Sequence, residues 1–173
     1  MEAYLLDCNT ISDWFDETRP RHRCVAQRAE ESAQSDAVLV TSTVVIGEIE
    51  YGIKVAPQQK MQALNALLEQ VDIQFVRRRF LLAPERSTAL VYGDLRARLF
   101  EKFAPKNRRR KGLRPEELVD PVTAKELGIQ ENDLWIAAQA IERNLILVTN
   151  DGMACIREVA PELRVEDWAA AAP

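Results

Sequence analysis

Four carboxylates in this chain sit where a cation could use them. Asp7 ends the apolar run Tyr4-Leu5-Leu6, and Asp151 follows the apolar run Leu145-Ile146-Leu147-Val148. Asp133 opens the helix-like stretch Asp133-Leu134-Trp135-Ile136-Ala137-Ala138, and Glu48 lies within the apolar Val44–Gly52. Ionised carboxylates a few ångströms apart repel one another and otherwise take up protons. A divalent cation resolves that conflict, and Mg²⁺ or Mn²⁺ prefers oxygen ligands. The single histidine, His22, stands between Arg21 and Arg23, and the cysteines Cys8, Cys24 and Cys155 form no CxxC pair. An all-oxygen site is therefore the consistent choice, with one ion or two. Its expected chemistry is hydrolysis of a phosphodiester.

The elements that must position these acids alternate between strand and helix. Strands are expected at 3–6, 38–40, 72–76, 145–148 and 163–165. Helices are expected from Ser12 (as N-cap, with Trp14 and Phe15 packing inward), over 25–35, through Glu48, over 84–102 and over 133–143. After Pro57, Met61, Leu64, Leu68 and Val71 recur at helical spacing; core is the default reading of that stripe and a dimer face the other. Residues 103–130 read as a basic loop or arm with at most a short helix, inside a single domain spanning 1–173. Such alternation predicts an α/β fold with a mostly parallel sheet covered on both faces. Ligands of such sheets bind beyond the carboxyl ends of the strands. Asp7 and Asp151 follow strands, while Asp133 and Glu48 fall near helix starts, so the four acids can converge.

Composition excludes several classes. The chain has 173 residues, 47% of them hydrophobic and 29% charged, which fits one soluble domain with a real core. No apolar run approaches a membrane span, and no signal peptide is visible. Three scattered cysteines fit a reducing cytoplasm rather than a disulfide framework. The formal net charge of -4 hides an asymmetry. Lys102, Lys106, Arg108, Arg109, Arg110, Lys111 and Arg114 form a basic run with no acid among them. Such a run is either a solvated loop or a contact for an anionic partner. Beside a site for phosphodiester hydrolysis it suggests salt-sensitive phosphate contact, with Lys106, Arg108, Arg109, Arg110 and Lys111 as candidate residues for binding a nucleic-acid substrate.

Four segments, in order, resemble the motifs of PIN-domain ribonucleases. They are Leu5-Leu6-Asp7-Cys8-Asn9-Thr10-Ile11-Ser12, Ile46-Gly47-Glu48-Ile49-Glu50-Tyr51-Gly52, Glu131-Asn132-Asp133-Leu134-Trp135-Ile136-Ala137-Ala138 and Leu147-Val148-Thr149-Asn150-Asp151. Tyr92–Leu99 and the ending Leu163–Trp168 also resemble the VapC-type toxins of bacterial toxin–antitoxin pairs. The resemblance implies a PIN-like three-layer α/β/α fold and Mg²⁺- or Mn²⁺-dependent endonucleolytic cleavage of RNA. It further implies a homodimer, a small cognate antitoxin, and contact with operator DNA only through that antitoxin. By position, Asp7, Glu48, Asp133 and Asp151 become the catalytic, metal-binding quartet, with Asp7 and Asp133 the firmest ligands. Asn9, Thr149 and Asn150 become candidates for hydrogen bonds that hold the carboxylates. Cys8 stands where relatives often carry Thr, and the stretch from Leu99 to Asp133 is longer and more basic than a compact relative needs.

Two other readings compete. A haloacid-dehalogenase-like phosphotransferase also starts with Asp after its first strand, but its chemistry resembles Asp-x-Asp and the second position here is Asn9. A catalytically inactive PIN-like metal-binding interaction module would normally have lost acids of the quartet, and this chain retains all four. Glu50, Asp13, Asp16, Asp94 and Glu131 read as structural or solvated. Trp14, Trp135 and Trp168 read as core or interface.

Overall fold

The structure, a computed structural model, describes residues 2–104 and 113–170. It divides into two compact units. One contains residues up to Ala83, Leu145–Gly152 and the segment from Val165; the other contains Pro84–Asn144 and Met153–Arg164.

The first unit is built on a sheet of β1 (Ala3–Leu6), β2 (Val38–Ser42), β3 (Leu81–Leu82), β4 (Ile146–Val148) and β5 (Arg164–Glu166), in the order β3-β2-β1-β4-β5. The expected α/β class with a parallel sheet is what the chain forms: β1 runs parallel to β2 and β4, and β2 parallel to β3. Tyr4, Leu5 and Leu6 are all buried, as a central parallel strand requires of an unbroken apolar run. Leu6 registers with both Thr41 and Val148, so the residues following β1, β2 and β4 leave the sheet at one edge.

Five helical segments belong to this unit: α1 (Cys8–Phe15), α2 (His22–Gln34), α3 (Thr43–Val55), α4 (Gln58–Val71) and a π-helical turn over Asp72–Val76. Ser42 caps α3, its Oγ accepting the Val44 N–H at 3.0 Å, as the Thr-Ser-Thr sequence suggested. Two expectations fail. Ser12 is not an N-cap, because Asp7 caps the helix five residues earlier and leaves Ser12 inside it. Trp14 and Phe15 are half-buried and stack on each other 4.6 Å apart. Nor is 72–76 a strand: the Arg77 N–H donates to the Asp72 carbonyl at 2.9 Å, closing a π-turn that continues α4. Its apparent alternation was too short to decide, since Phe75 is fully buried while Ile73 and Val76 are exposed. Along α4, Val71 is core, Leu64 and Leu68 are half-buried and Met61 is exposed, so most of the stripe is not interior.

The second unit packs α5 (Arg86–Phe103) on α6 (Glu131–Glu142) and α7 (Ala154–Val159). Leu95, Leu99, Leu134, Ile136 and Ile156 fill its interior. Tyr92 and Trp135 stack with ring centroids 4.0 Å apart, joining α5 to α6. The Ser87 and Thr88 hydroxyls each donate to the Glu142 carboxylate at 2.6 Å, joining them again at the other end. The described part of 103–130 holds a single 3₁₀ turn, Pro115–Glu117, and one isolated bridge between Val119 and Glu126. No helix among the described residues is long and apolar enough to cross a membrane.

Candidate active site

Asp7 is the best-defined of the four acids. It follows β1, and its backbone N–H donates to the Val148 carbonyl at 3.2 Å, extending the β1–β4 pairing by one step. The chain then turns at once into α1, with Asp7 Oδ1 accepting the Thr10 N–H at 2.7 Å. Thr10 Oγ1 donates to the Val148 carbonyl at 2.8 Å, which ties the first turn of α1 to the end of β4. The Asp7 residue is 6% exposed. Burial pushes its carboxyl above the ordinary carboxylate range, and hydrogen bonds from the Thr149 hydroxyl and from Thr10 oppose that shift only in part.

Thr149 directly follows β4 and is buried. Its hydroxyl donates to the Asp7 carboxylate and accepts the Asp151 N–H at 3.0 Å. One threonine thus connects the first and last motifs of the sequence. Asp151 itself is exposed, as are Asn150 and Asn9. The Asn9 carbonyl accepts a hydrogen bond from Arg19 Nη1 at 3.2 Å.

Glu48 is the sixth residue of α3 and is half-buried, less enclosed than its apolar neighbours suggested. Its proximity to Asp7 is visible at Cys8. Burial first, then the negative charges of Glu48 and Asp7, push the Cys8 thiol up to about 12, while Arg19 pulls the other way. The thiol is protonated and inert at neutral pH. In the first unit, then, Asp7 lies at the carboxyl edge of the sheet, the Asp151 N–H is tied to it through Thr149, and Glu48 acts on the same Cys8 thiol as Asp7.

Asp133 belongs to the second unit. It is the third residue of α6, half-buried, and its Oδ2 accepts the Gln130 N–H at 3.2 Å in a capping box. Lys106, Arg108, Arg109, Arg110 and Lys111 lie outside the described residues. The flanks of that run are engaged: Lys102 pairs with Glu158, and the Arg114 N–H donates to Glu117 at 2.9 Å.

Among the described residues, no group of three or more His, Cys, Asp or Glu side chains forms a ready metal cluster. Mg²⁺ does not demand one, because it commonly takes one or two carboxylates and completes its shell with water and substrate oxygens. A nearly buried carboxylate, with a second acid acting on the same neighbouring thiol and that Cys8 thiol held protonated, fits such a hard cation.

Reading the sequence by type missed the part played by Thr10 and left Asp13 between two readings. Thr10 was overlooked: an acid at a helix start is an N-cap, and the backbone N–H three residues on is its partner. Asp13 was read as structural or solvated, and it is the former: it is 3% exposed and holds Arg19 Nη1 at 2.7 Å and Arg21 Nε at 3.1 Å. Arg21 reaches on to Asp167. The run Arg19-Pro20-Arg21 carried that signal.

A sequence profile of the PIN domain matches residues 4–160. No curated protein sequence matches the chain. Among solved structures, VapBC2 from Rickettsia felis bound to a promoter DNA fragment superposes with a TM-score of 0.67 at 22% identity, covering 96% of this chain and 98% of that one. DNA-bound VapBC from Salmonella typhimurium gives 0.63 at 20% identity, covering 97% and 99%. VapBC-1 from nontypeable Haemophilus influenzae gives 0.60 at 21% identity, covering 96% and 98%. The profile spans most of the sequence and the structural likeness spans nearly all of it, with the four motifs in order: the chain belongs to the PIN domain family.

Proposed function

We propose that this protein is a metal-dependent endoribonuclease and the toxin of a toxin–antitoxin pair, with Asp7, Glu48, Asp133 and Asp151 as its catalytic carboxylates and Mg²⁺ or Mn²⁺ as its cofactor. The observation that carries the reading is Asp7: a carboxylate buried at the carboxyl edge of a parallel sheet, with Glu48 near enough that both act on the same thiol. Such a group costs stability as an anion unless a cation offsets it. Family membership and the solved VapBC complexes support the nuclease and toxin parts of the proposal.

The chain's own groups divide the work. Asp7 is held in one orientation by the Thr10 N–H and the Thr149 hydroxyl, so it meets a cation without reorganising. Glu48 adds negative charge from α3, and Asp151 is oriented through its N–H bond to Thr149. Asp133 is the fourth acid by its motif, and its capping bond to Gln130 restricts its rotamer. A divalent cation bound there would acidify an attacking water and neutralise charge on the phosphodiester. The partners of this reading are an RNA substrate, a second copy of the chain and a small antitoxin that supplies any operator DNA contact, all in the cytoplasm.

The test is cleavage of structured RNAs by purified protein. Activity should require Mn²⁺ or Mg²⁺ and disappear with EDTA. Asp133→Asn should lose more than the roughly 10–100-fold typical of changes outside the direct ligands, with its melting temperature nearly unchanged. Intact RNA at high enzyme concentration, or full activity in EDTA, would defeat the proposal.

A further inference from the structure

Arg19 is an observation that the acid site leaves unexplained. It follows α1 and folds back along it. Its Nη1 donates both to Asp13 Oδ1 at 2.7 Å and to the Asn9 carbonyl at 3.2 Å. Asp13 is the anchor, since its side chain is 4% exposed and clamped from its other oxygen by Arg21 Nε. Asn9 lies in the first turn of α1, two residues after Asp7, so the guanidinium is fixed beside the start of the helix that Asp7 caps. Its charge is felt at the Cys8 thiol, the group on which Asp7 and Glu48 also act.

The arrangement is more than a structural ion pair requires. Both internal bonds use Nη1, and among the described residues Nε and Nη2 make no hydrogen bond. The side chain is 36% exposed and lines a cleft of about 840 Å³ between α1 and α4. Lys60 and His22 share that lining, with Asp16 and Glu17 as its acids. An arginine with one nitrogen immobilised and the other two making no hydrogen bond, on a side chain that is 36% exposed, is preorganised for a planar, two-oxygen anion. A cation next to a cluster of acids also opposes the repulsion that such a cluster exerts on an approaching polyanion.

We propose that Arg19 is a phosphate-binding residue of the substrate site: its free edge takes the oxygens of an RNA phosphate neighbouring the scissile one, while Asp13 and the Asn9 carbonyl hold the guanidinium in place. The inference rests on the ribonuclease reading above. It differs from the basic run at 102–114 in kind, because that run offers many exchangeable charges and Arg19 offers one fixed fork.

The experiment measures binding of a single-stranded RNA with Ca²⁺ in place of Mn²⁺, at several salt concentrations, and cleavage with Mn²⁺. Arg19→Gln should bind about ten-fold more weakly, with KM raised by a similar factor and kcat within about two-fold of wild type. Its plot of log affinity against log salt should be shallower by about 0.7, the contribution of one single-strand phosphate. If Arg19→Gln fails to fold, Arg19→Lys keeps the pair with Asp13 but not the fork, and should still weaken binding several-fold. Wild-type affinity, KM and salt slope in whichever variant folds would overturn the Arg19 assignment while leaving the nuclease reading intact. Wild-type protein that neither binds nor cleaves RNA would overturn both.

Discussion

Thr149 holds Asp7: the hydroxyl at the end of β4 donates to the carboxylate at the end of β1. The same oxygen accepts the Asp151 N–H at 3.0 Å, so it is used as donor and acceptor at once. A serine could do the same; valine, its nearest isostere, could do neither. Thr149→Val is expected to lower cleavage by roughly 10–100-fold and to cost about 1–3 kcal/mol, because a buried carboxylate loses a partner. Thr149→Ser should recover most of both. Wild-type kcat in the valine variant would show that Asp7 needs no such support.

Asp7 should make the metal-free protein sensitive to pH. Burial raises its carboxyl above the ordinary value of 3.8, so the native state binds this proton more tightly than the unfolded chain. The stabilising contribution of that proton is complete below the unfolded value and is lost as pH rises through the native one. Above the unfolded value the raised proton affinity of Asp7 therefore works against the metal-free fold. Asp7→Asn should melt higher than wild type at pH 7 without metal, by roughly 2–4 °C per kcal/mol relieved. The gap should close at pH values below the ordinary carboxylate range. Mn²⁺ should raise the melting temperature of wild type and leave that of Asp7→Asn unmoved. A metal-free Asp7→Asn protein that melts lower at pH 7 would count against the charge argument.

Glu142 has the opposite sign. Burial alone would push its carboxyl up, but the hydroxyls of Ser87 and Thr88 and the charge of Arg143 outweigh it and hold the group below its ordinary 4.5. Its contribution to stability is therefore present above that value and is lost as pH falls through the lowered one. Glu142→Ala removes two bonds to a charged acceptor and should cost about 2–3 kcal/mol at pH 7. The cost should shrink as the buffer approaches pH 3. A loss that stays the same at all pH values would mean packing, not charge, is what the variant removes.

The basic run makes a separate demand. Replacing Lys106, Arg108, Arg109, Arg110 and Lys111 with Gln should weaken RNA binding at low salt far more than at high salt, with each contacted phosphate accounting for about 0.7 of the salt slope. Preference among RNA sequences should not change, because phosphate contacts position the strand without reading it. An unchanged salt slope would remove the run from the substrate interface.

What could be read from the sequence was what local chemistry decides. Continuous apolar runs marked β1 and β4 because a strand covered on both faces admits little else. Asp7 stood out because it breaks such a run. The two-residue β3 and the six-residue α7 (Ala154–Val159) carry too few residues for a period to show. The turn at 72–76 looked like a strand because Ile73 and Phe75 are both apolar, and nothing local says that just one of them finds a core. Glu48 seemed enclosed because its sequence neighbours are apolar, yet on a helix those neighbours point elsewhere. The Thr149–Asp7 bond and the Asp13–Arg19 anchor depend on where the chain returns, which motif spacing does not encode.

That return has a consequence in time. The bond from Thr10 to the Val148 carbonyl joins residues 138 positions apart, and the β1–β4 pairing beside it is equally remote. At synthesis rates of roughly 5–20 residues per second, Asp7 is added to the chain about 7–28 seconds before Thr149 exists to orient it. Until then β1 has β2 on one side and an open edge on the other, and the acid at its end has no fixed geometry. A nascent chain therefore lacks the assembled carboxylate site until β4 has been made and has paired with β1.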